Sequence, residues 1–376
     1  MNFSFDEQQR SLAETVASVL ADVPALTAPD LAAAGDDIAW SSLAELGLFA
    51  LQVPEADGGV GLTLVDVALA AEALGAGLAP PAIASTLIAI DLIASHGSDR
   101  QRDEWLSRIA AGECRVAIAM YEAGGDYDLA DLATVVRGGR MQGDKLMVAG
   151  AEQADLFIVV ARDGNDAGAY LVANGVDGVS VEPHDTLDPS AGLARVRLAD
   201  VALGNDALLG GGNPRAALDR LFDVGAIVHA GLSIGIAGRM LDRTVDYAKT
   251  REQFGRPIGS FQTIKHRCAD MAVAVEAGRS VAYYAFWAAA EDDADRSRAA
   301  SMAKAYCGDV ARFVCNEAIQ VHGGMGFTWE LGLHRYLRRA KLIEHQFGDT
   351  VYHQERVLVE TLAHGDQSLA PRRDAA

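Results

Sequence analysis

Two stretches in the last third of the chain hold side chains that could grip a phosphate. The first is Asp246-Tyr247-Ala248-Lys249-Thr250-Arg251-Glu252-Gln253-Phe254-Gly255-Arg256-Pro257-Ile258. Arg251 stands there where a helix runs out near a Gly–Pro turn, and its planar guanidinium can pair two phosphate oxygens. The second is Ala318-Ile319-Gln320-Val321-His322-Gly323-Gly324-Met325-Gly326-Phe327-Thr328. Its glycines leave backbone N–H groups open to a close-approaching ligand. Each stretch also has a plainer reading: an Arg in a surface salt bridge, and glycines that only end a helix. A short glycine-rich match decides little by itself. Together the two favour contact with a dinucleotide.

Other candidates are blander. Arg335, Arg338 and Arg339 share a helix face at i, i+3 and i+4 and could meet a phosphate, but such stripes more often pair with acids. His334, His345 and His353 do not fall at metal spacing along one face, so no metal site is expected. Cys114, Cys268, Cys307 and Cys315 form no CxxC pair, so neither a zinc site nor a disulfide frame is indicated. Tyr283, Tyr284, Phe286 and Trp287 read as helical core, and Asp270 and Glu276 as ordinary helix-face acids.

Three textures of chain must position these groups. Residues 1–112 read as a helical domain rich in Ala and Leu, with Phe5–Asp6 leading into Leu12, Val16, Val19 and Leu20 at helical spacing. Two more apolar runs, Leu62–Gly75 and Ala84–Ser95, are separated by Pro80–Pro81, and Ser98 is an N-cap for a helix to Ile109. Residues 113–210 read as a compact antiparallel β domain. Its strand runs are 115–120, 132–136, 145–148, 156–160, 170–172, 179–181 and 195–198, punctuated by Gly138–Gly139, Asp163-Gly164-Asn165 and Asn174-Gly175. No helices of about 10–15 residues alternate with them, which argues against a Rossmann sheet. Residues 211–366 read as a four-helix bundle. It opens with Asn213–Pro214 as cap and first helical residue, then one helix from Arg215 to Lys249, about 50 Å long at 1.5 Å per residue. Gly231, Gly235 and Gly238 form a small-residue stripe along it. Further helices are expected at 261–291, 297–322, 334–346 and 350–364, with a frayed tail at 367–376.

The whole chain has 376 residues, with 32 basic against 52 acidic side chains, a net charge of −20. That balance argues against nucleic acid as a partner, since phosphate contacts need clustered Lys and Arg. Half the residues are apolar and 22% are charged, which excludes a disordered chain. The opening MNFSFDEQQRSL lacks the basic start and apolar run of a signal peptide, and charge or Gly interrupts every long apolar stretch. A soluble, cytoplasmic protein without a membrane span is expected.

The two long motifs resemble the signatures of acyl-CoA dehydrogenases. So do Glu45-Leu46-Gly47, Val53-Pro54-Glu55, Gly58-Gly59-Val60-Gly61 and the stretch from Leu106 to Glu113, and the resemblance covers nearly the whole chain. It implies a mainly α, α+β fold: an N-terminal helical domain, a central antiparallel β domain and a C-terminal long-helix bundle. It also implies FAD-dependent α,β-desaturation of an acyl-CoA thioester, as in fatty acid or steroid side-chain β-oxidation, with an electron-transferring flavoprotein as the expected acceptor. In the family, the Arg and Phe of R-x-Q-F-G and the Gln and glycines of Q-x-x-G-G cross a subunit interface. They hold the adenosine-diphosphate half of an FAD bound mainly by the neighbour. By resemblance that role falls to Arg251, Phe254, Gln262, Gln320, Gly323 and Gly324.

The chain departs from the family at the flavin ring and at the base. The loop T/A-E-P-G-A-G-S-D corresponds to Tyr121-Glu122-Ala123-Gly124-Gly125-Asp126, without its proline and hydroxyl residue. The loop W-I-T-N-G maps onto Met147-Val148-Ala149-Gly150-Ala151, without its aromatic and hydroxyl side chains. Desaturation needs a carboxylate to take the α-proton while the β-hydride leaves for the flavin. Family members place that Glu in one of two slots, which hold Phe347 and Gly225 here; the Arg that often follows the second is Ala226. Asp349, Glu344 and Asp223 are the possible substitutes. Asp349 reads more simply as a helix cap, and Glu344 as a solvated helix face.

A subunit with half a flavin site and no base resembles the partner-type chain of bacterial α2β2 acyl-CoA dehydrogenases, and the His345-Gln346-Phe347-Gly348-Asp349 ending is similar to theirs. The resemblance implies a homologous partner subunit that carries the catalytic Glu and shares its FAD. Two rival expectations are an active homotetramer using Asp349 or Glu344, and a non-catalytic CoA-thioester binding protein.

Overall fold

The computed structural model describes residues 5–23, 32–124, 127 and 129–368. The N-terminal part holds α1 (Glu7–Ala21), α2 (Ala32–Glu45), α3 (Ala68–Ala76), α4 (Pro81–His96) and α5 (Asp99–Ala110). Caps set two of these starts. Asp6 accepts the Gln9 N–H while the Gln9 side chain returns to the Asp6 N–H, and Ser98 and Gln101 repeat the arrangement at α5. The apolar run from Leu62 becomes helical only at Ala68. Asp66 accepts both the Thr63 N–H and its hydroxyl, at 2.8 and 2.9 Å, and this side-chain turn competes with the first helical bonds. The Pro80–Pro81 pair starts α4, whose residues are buried nearly all round.

All seven strand runs form strands: β1 (Val116–Ala119), β2 (Val135–Arg137), β3 (Arg140–Ala149), β4 (Leu156–Asp163), β5 (Asp166–Ala173), β6 (Val179–Pro183) and β7 (Leu193–Ala202). They make one sheet in the order β1-β4-β2-β3-β7-β6, with β5 also paired to β4. The pairs β2/β3, β3/β7, β4/β5 and β6/β7 are antiparallel as expected, and Gly138–Gly139 and Gly164 supply the left-handed turn residues of two of the hairpins. The sheet is mixed rather than purely antiparallel, because β1 and β2 both run parallel to β4, against Leu156–Val159 and Arg162–Asp163 respectively. Alternation and β-branching report burial and not direction, so the sequence cannot show this. The long connections into β4 leave room for the crossover that parallel pairing needs.

The C-terminal part consists of α6 (Pro214–Thr250), the two-residue strands β8 (Glu252–Gln253) and β9 (Arg256–Pro257), α7 (Gln262–Ala290), α8 (Arg296–His322), α9 (Leu333–His345) and α10 (Thr350–Ser368). Residues 369–376, the bulk of the expected tail, lie outside the described residues. The Asn213 side chain accepts the Ala216 N–H with Pro214 in the first turn, so α6 starts where its cap signals say. Among the described residues α6 alone is long and apolar enough to cross a membrane, and its apolar window is wholly buried inside the fold. Its small-residue stripe lets α3 touch it backbone to backbone. A Cβ on Gly75 would meet the Leu232 carbonyl oxygen at 2.0 Å, and one on Gly235 would meet that of Glu72 at 1.9 Å.

Candidate functional site

The two slots where a catalytic carboxylate is expected turn out to be one place. Gly225 lies on α6 and Phe347 on the α9–α10 connection, and a Cβ added to Gly225 would stand 2.2 Å from the Phe347 ring. The ring fills the volume a side chain at 225 would need. Phe347 takes up a left-handed backbone conformation at φ 56°, unusual for a bulky residue, so its surroundings must hold it there. They do so on both sides. Its N–H donates to the Tyr121 hydroxyl oxygen, and its carbonyl accepts from His353 Nε2 at 2.7 Å. Lys304 Nζ donates to the carbonyls of Glu344 and Gly348, at 3.0 and 2.8 Å. Burial pulls the Lys304 pKa down to about 7, against the nearby acids Glu344 and Asp349.

The substitute carboxylates are otherwise engaged. Asp349 Oδ1 accepts the Tyr352 N–H at 2.9 Å, the helix cap the sequence suggests. Glu344 is not on a solvated face: its side chain is 12% exposed and pairs with Lys341 at 2.9 Å and Arg312 at 3.4 Å. Asp223 is fully buried and accepts from Arg296, Arg356 and Ser297. A partly open cavity of about 30 Å³ lies beside Phe347, bordered also by Tyr121, Met147, His229, Arg339 and Gln346. No carboxylate is among its described lining residues. It has room for a water or two.

His229, which sequence reasoning did not single out, sits in this wall. Its Nδ1 faces the Gly225 carbonyl at 2.8 Å and its Nε2 the Gln346 amide at 2.9 Å. Burial, helped by the Lys304 charge, lowers its pKa to about 4, and burial beside Lys304 and Arg356 lowers that of His353 to about 3. Both rings are therefore neutral. In His229, Nδ1–H donates and Nε2 accepts, so Gln346 must present its NH2. In the unfolded chain each His gains a proton near 6.5, so below that pH the unfolded state binds more protons than the folded one. The stability from this source is complete above pH 6.5 and is lost as pH falls toward 4. At pH 5 the loss is on the order of 2 kcal/mol per histidine. Urea unfolding between pH 7 and 5 should fall steeply for the wild type, with a slope smaller by about one proton in His229→Asn and in His353→Gln. Equal slopes would contradict it.

The arginine stripe on α9 does not face one way. Arg339 turns inward and is buried, bonding Asp188 at 2.7 Å, the Ala79 carbonyl at 2.8 Å and both the carbonyl and hydroxyl of Ser190. One guanidinium thus joins the N-terminal, β and C-terminal parts. Arg338 lies over Trp329, 5.6 Å from the ring centre. In the first of the two loops that resemble flavin-binding ones, Glu122 pairs with buried Lys145 at 2.5 Å; Gly125 and Asp126 lie outside the described residues. In the second, Met147 is left-handed at φ 54° and part-exposed. Among the described residues no group of His, Cys, Asp and Glu could hold a metal.

The residues expected to reach toward a neighbour do gather at one end of the bundle. Helix α6 ends, α7 starts and α8 ends there, and Tyr247 stacks on His322 at 4.2 Å to tie two of these ends together. Arg251, Gln262, Gln320, Gly323 and Gly324 are all exposed, and Phe254, at the hairpin tip, is 91% exposed. Arg251 makes no side-chain hydrogen bond or ion pair with any described residue. Gly323 corrects one detail: its N–H is taken by the Gln320 carbonyl as the cap of α8, so it has no donor to spare. A Cβ on Gly324 would meet nothing within 4 Å, so no internal packing requires a glycine there.

Residues 6–113 match the acyl-CoA dehydrogenase N-terminal domain and residues 215–360 the acyl-CoA dehydrogenase C-terminal domain. The chain is 31% identical over 365 residues to the probable acyl-CoA dehydrogenase YngJ of Bacillus subtilis, covering 92% of this chain and 95% of that one. It is 32% identical over 343 residues to the acyl-CoA dehydrogenase IpdE2 of Mycobacterium tuberculosis, covering 89% and 91%. A chain of the ChsE4–ChsE5 complex from Mycobacterium tuberculosis superposes with a TM-score of 0.86 at 26% identity, over 96% of this chain and 99% of that one. The chain belongs to the acyl-CoA dehydrogenase family, FAD-dependent oxidoreductases that act on acyl-CoA.

Proposed function

We propose that this chain is the non-catalytic subunit of a heteromeric, FAD-dependent acyl-CoA dehydrogenase. A homologous partner supplies the Glu that takes the α-proton, and this chain completes the adenosine-diphosphate end of the partner's FAD with Arg251, Phe254, Gln262, Gln320 and Gly324. Gly323 serves by its shape. The observation that carries the reading is the Phe347 ring seated against Gly225: neither base slot holds a carboxylate, and the ring fills the space a side chain at 225 would need. The similarity to a chain of a two-component complex supports it. The reaction would be α,β-desaturation of an acyl-CoA, with an electron-transferring flavoprotein as the acceptor.

The homotetramer reading has one observation on its side: Asp349 borders an open cleft of about 580 Å³ between Tyr127 and Leu129 on one side and α6 and α10 on the other. Phe222 and Tyr352 also line that cleft, however, and Phe222 packs on both Tyr352 and Phe347. Asp349 is not among the described residues that line the cavity beside Phe347. In the co-expressed complex, Asp349→Asn and Glu344→Gln in this chain should leave the rate of flavin bleaching by acyl-CoA within about twofold. A fall of about 100-fold or more from either would make this chain the donor of the base.

A further inference from the structure

We infer that the contact between Tyr121 and the Phe347 backbone closes the space a flavin ring would need in this chain's own β-domain pocket, so that the chain binds no isoalloxazine itself. The inference rests on the subunit reading above and extends it from the missing base to the missing ring. A flat ring held between two protein surfaces needs about 7 Å between their heavy atoms, twice the usual contact distance. Here the surfaces are bridged: the Tyr121 hydroxyl, two residues past β1, directly accepts the N–H of Phe347 on the α9–α10 connection. Burial pushes the Tyr121 pKa far up, so the hydroxyl stays neutral in this apolar setting. The pocket beside Phe347 holds about 30 Å³ and the one along Tyr121–Gly124 about 150 Å³, whereas pockets for ligands of this size run to about 300 Å³ or more.

The closure is built in from several directions. His353 fixes the carbonyl of the left-handed Phe347 and Lys304 that of Gly348 next to it, and the His229 ring lies 4.9 Å from the Phe347 ring. Met147 and Ala149, the second-loop residues beside the cavity, offer neither a flat face nor a hydroxyl to a flavin. The residues at the far end of the bundle that would hold an adenosine diphosphate are all exposed and untouched by this closure. The two halves of a flavin site have thus parted company within one chain.

Lumiflavin, which carries the ring and no adenosine diphosphate, tests the closed half alone. The full-length wild-type chain should leave lumiflavin fluorescence unchanged, while Tyr121→Thr combined with Phe347→Ala should quench it saturably at one ring per chain. Circular dichroism and the thermal midpoint establish that the double variant is folded. Should it not fold, Tyr121→Ala alone takes its place and is expected to quench more weakly. Saturable one-to-one quenching by the wild type would overturn the inference, as would a folded opening variant that stays dark. The two readings fail separately. Wild-type quenching leaves the subunit reading standing, since a chain without a base can still hold a ring. Loss of activity in Asp349→Asn sinks the subunit reading and says nothing about lumiflavin.

Discussion

Replacing Arg251 with Ala in this chain alone is expected to weaken FAD retention by the assembled complex about 100-fold, with the fold intact. The size follows from losing two charge-assisted hydrogen bonds to phosphate, about 1.5 kcal/mol each, at about tenfold per 1.4 kcal/mol. The sparing of the fold follows from geometry. The Arg251 side chain is exposed and bonds to no described residue, while its backbone N–H, which caps α6 on the Tyr247 carbonyl, survives the change. Flavin absorbance after dialysis against a series of FAD concentrations reads the affinity, and the unfolding midpoint reads the fold. Unchanged retention would remove Arg251 from the flavin site. A lower midpoint would make it structural.

Asp223→Ala should produce the opposite pattern, a loss of about 3–5 kcal/mol of stability. The carboxylate is fully buried and accepts from Arg296 at 2.9 Å, Arg356 at 2.7 Å and the Ser297 hydroxyl at 2.8 Å. It joins α6 to α8 and α10. Removing it leaves two guanidinium groups, each mostly buried, facing each other across a hole. That costs more than the pair contributed, because both groups are mostly buried and lose the carboxylate between them, although Arg296 keeps its pair with Asp292. Urea denaturation of the wild type and the variant measures it. The exposed pair of Asp246 with Lys249, 3.9 Å apart on the same helix, is the control, and Asp246→Ala should leave the midpoint where it is.

Much of the frame was legible because local chemistry sets it. Asn213–Pro214 start α6, Ser98 starts α5, and each β-branched run between 115 and 198 became a strand. The gathering of Arg251, Gln262 and Gln320 follows once α6, α7 and α8 are known to run back and forth. What the sequence hid are contacts between distant residues. Gly225 and Phe347 each read as an empty slot; only the fold shows that one fills the other. Glu344 looked like a solvated acid because its partner Arg312 comes from another helix. His229 and Lys304 sit in apolar helical stretches, where a lone polar residue gives no sign of what it will face. The direction of β1 and β2 against β4 was hidden for a similar reason, since pairing partners leave no mark on local composition.

If the reacting half of the enzyme lies in another chain, the flavin-to-protein ratio must show it. This chain purified alone should be colourless or nearly so, and co-expression with its partner should give about one FAD per pair of chains, as sharing one site between two subunits requires. One FAD on every copy of this chain purified alone, with turnover of an acyl-CoA, would contradict it.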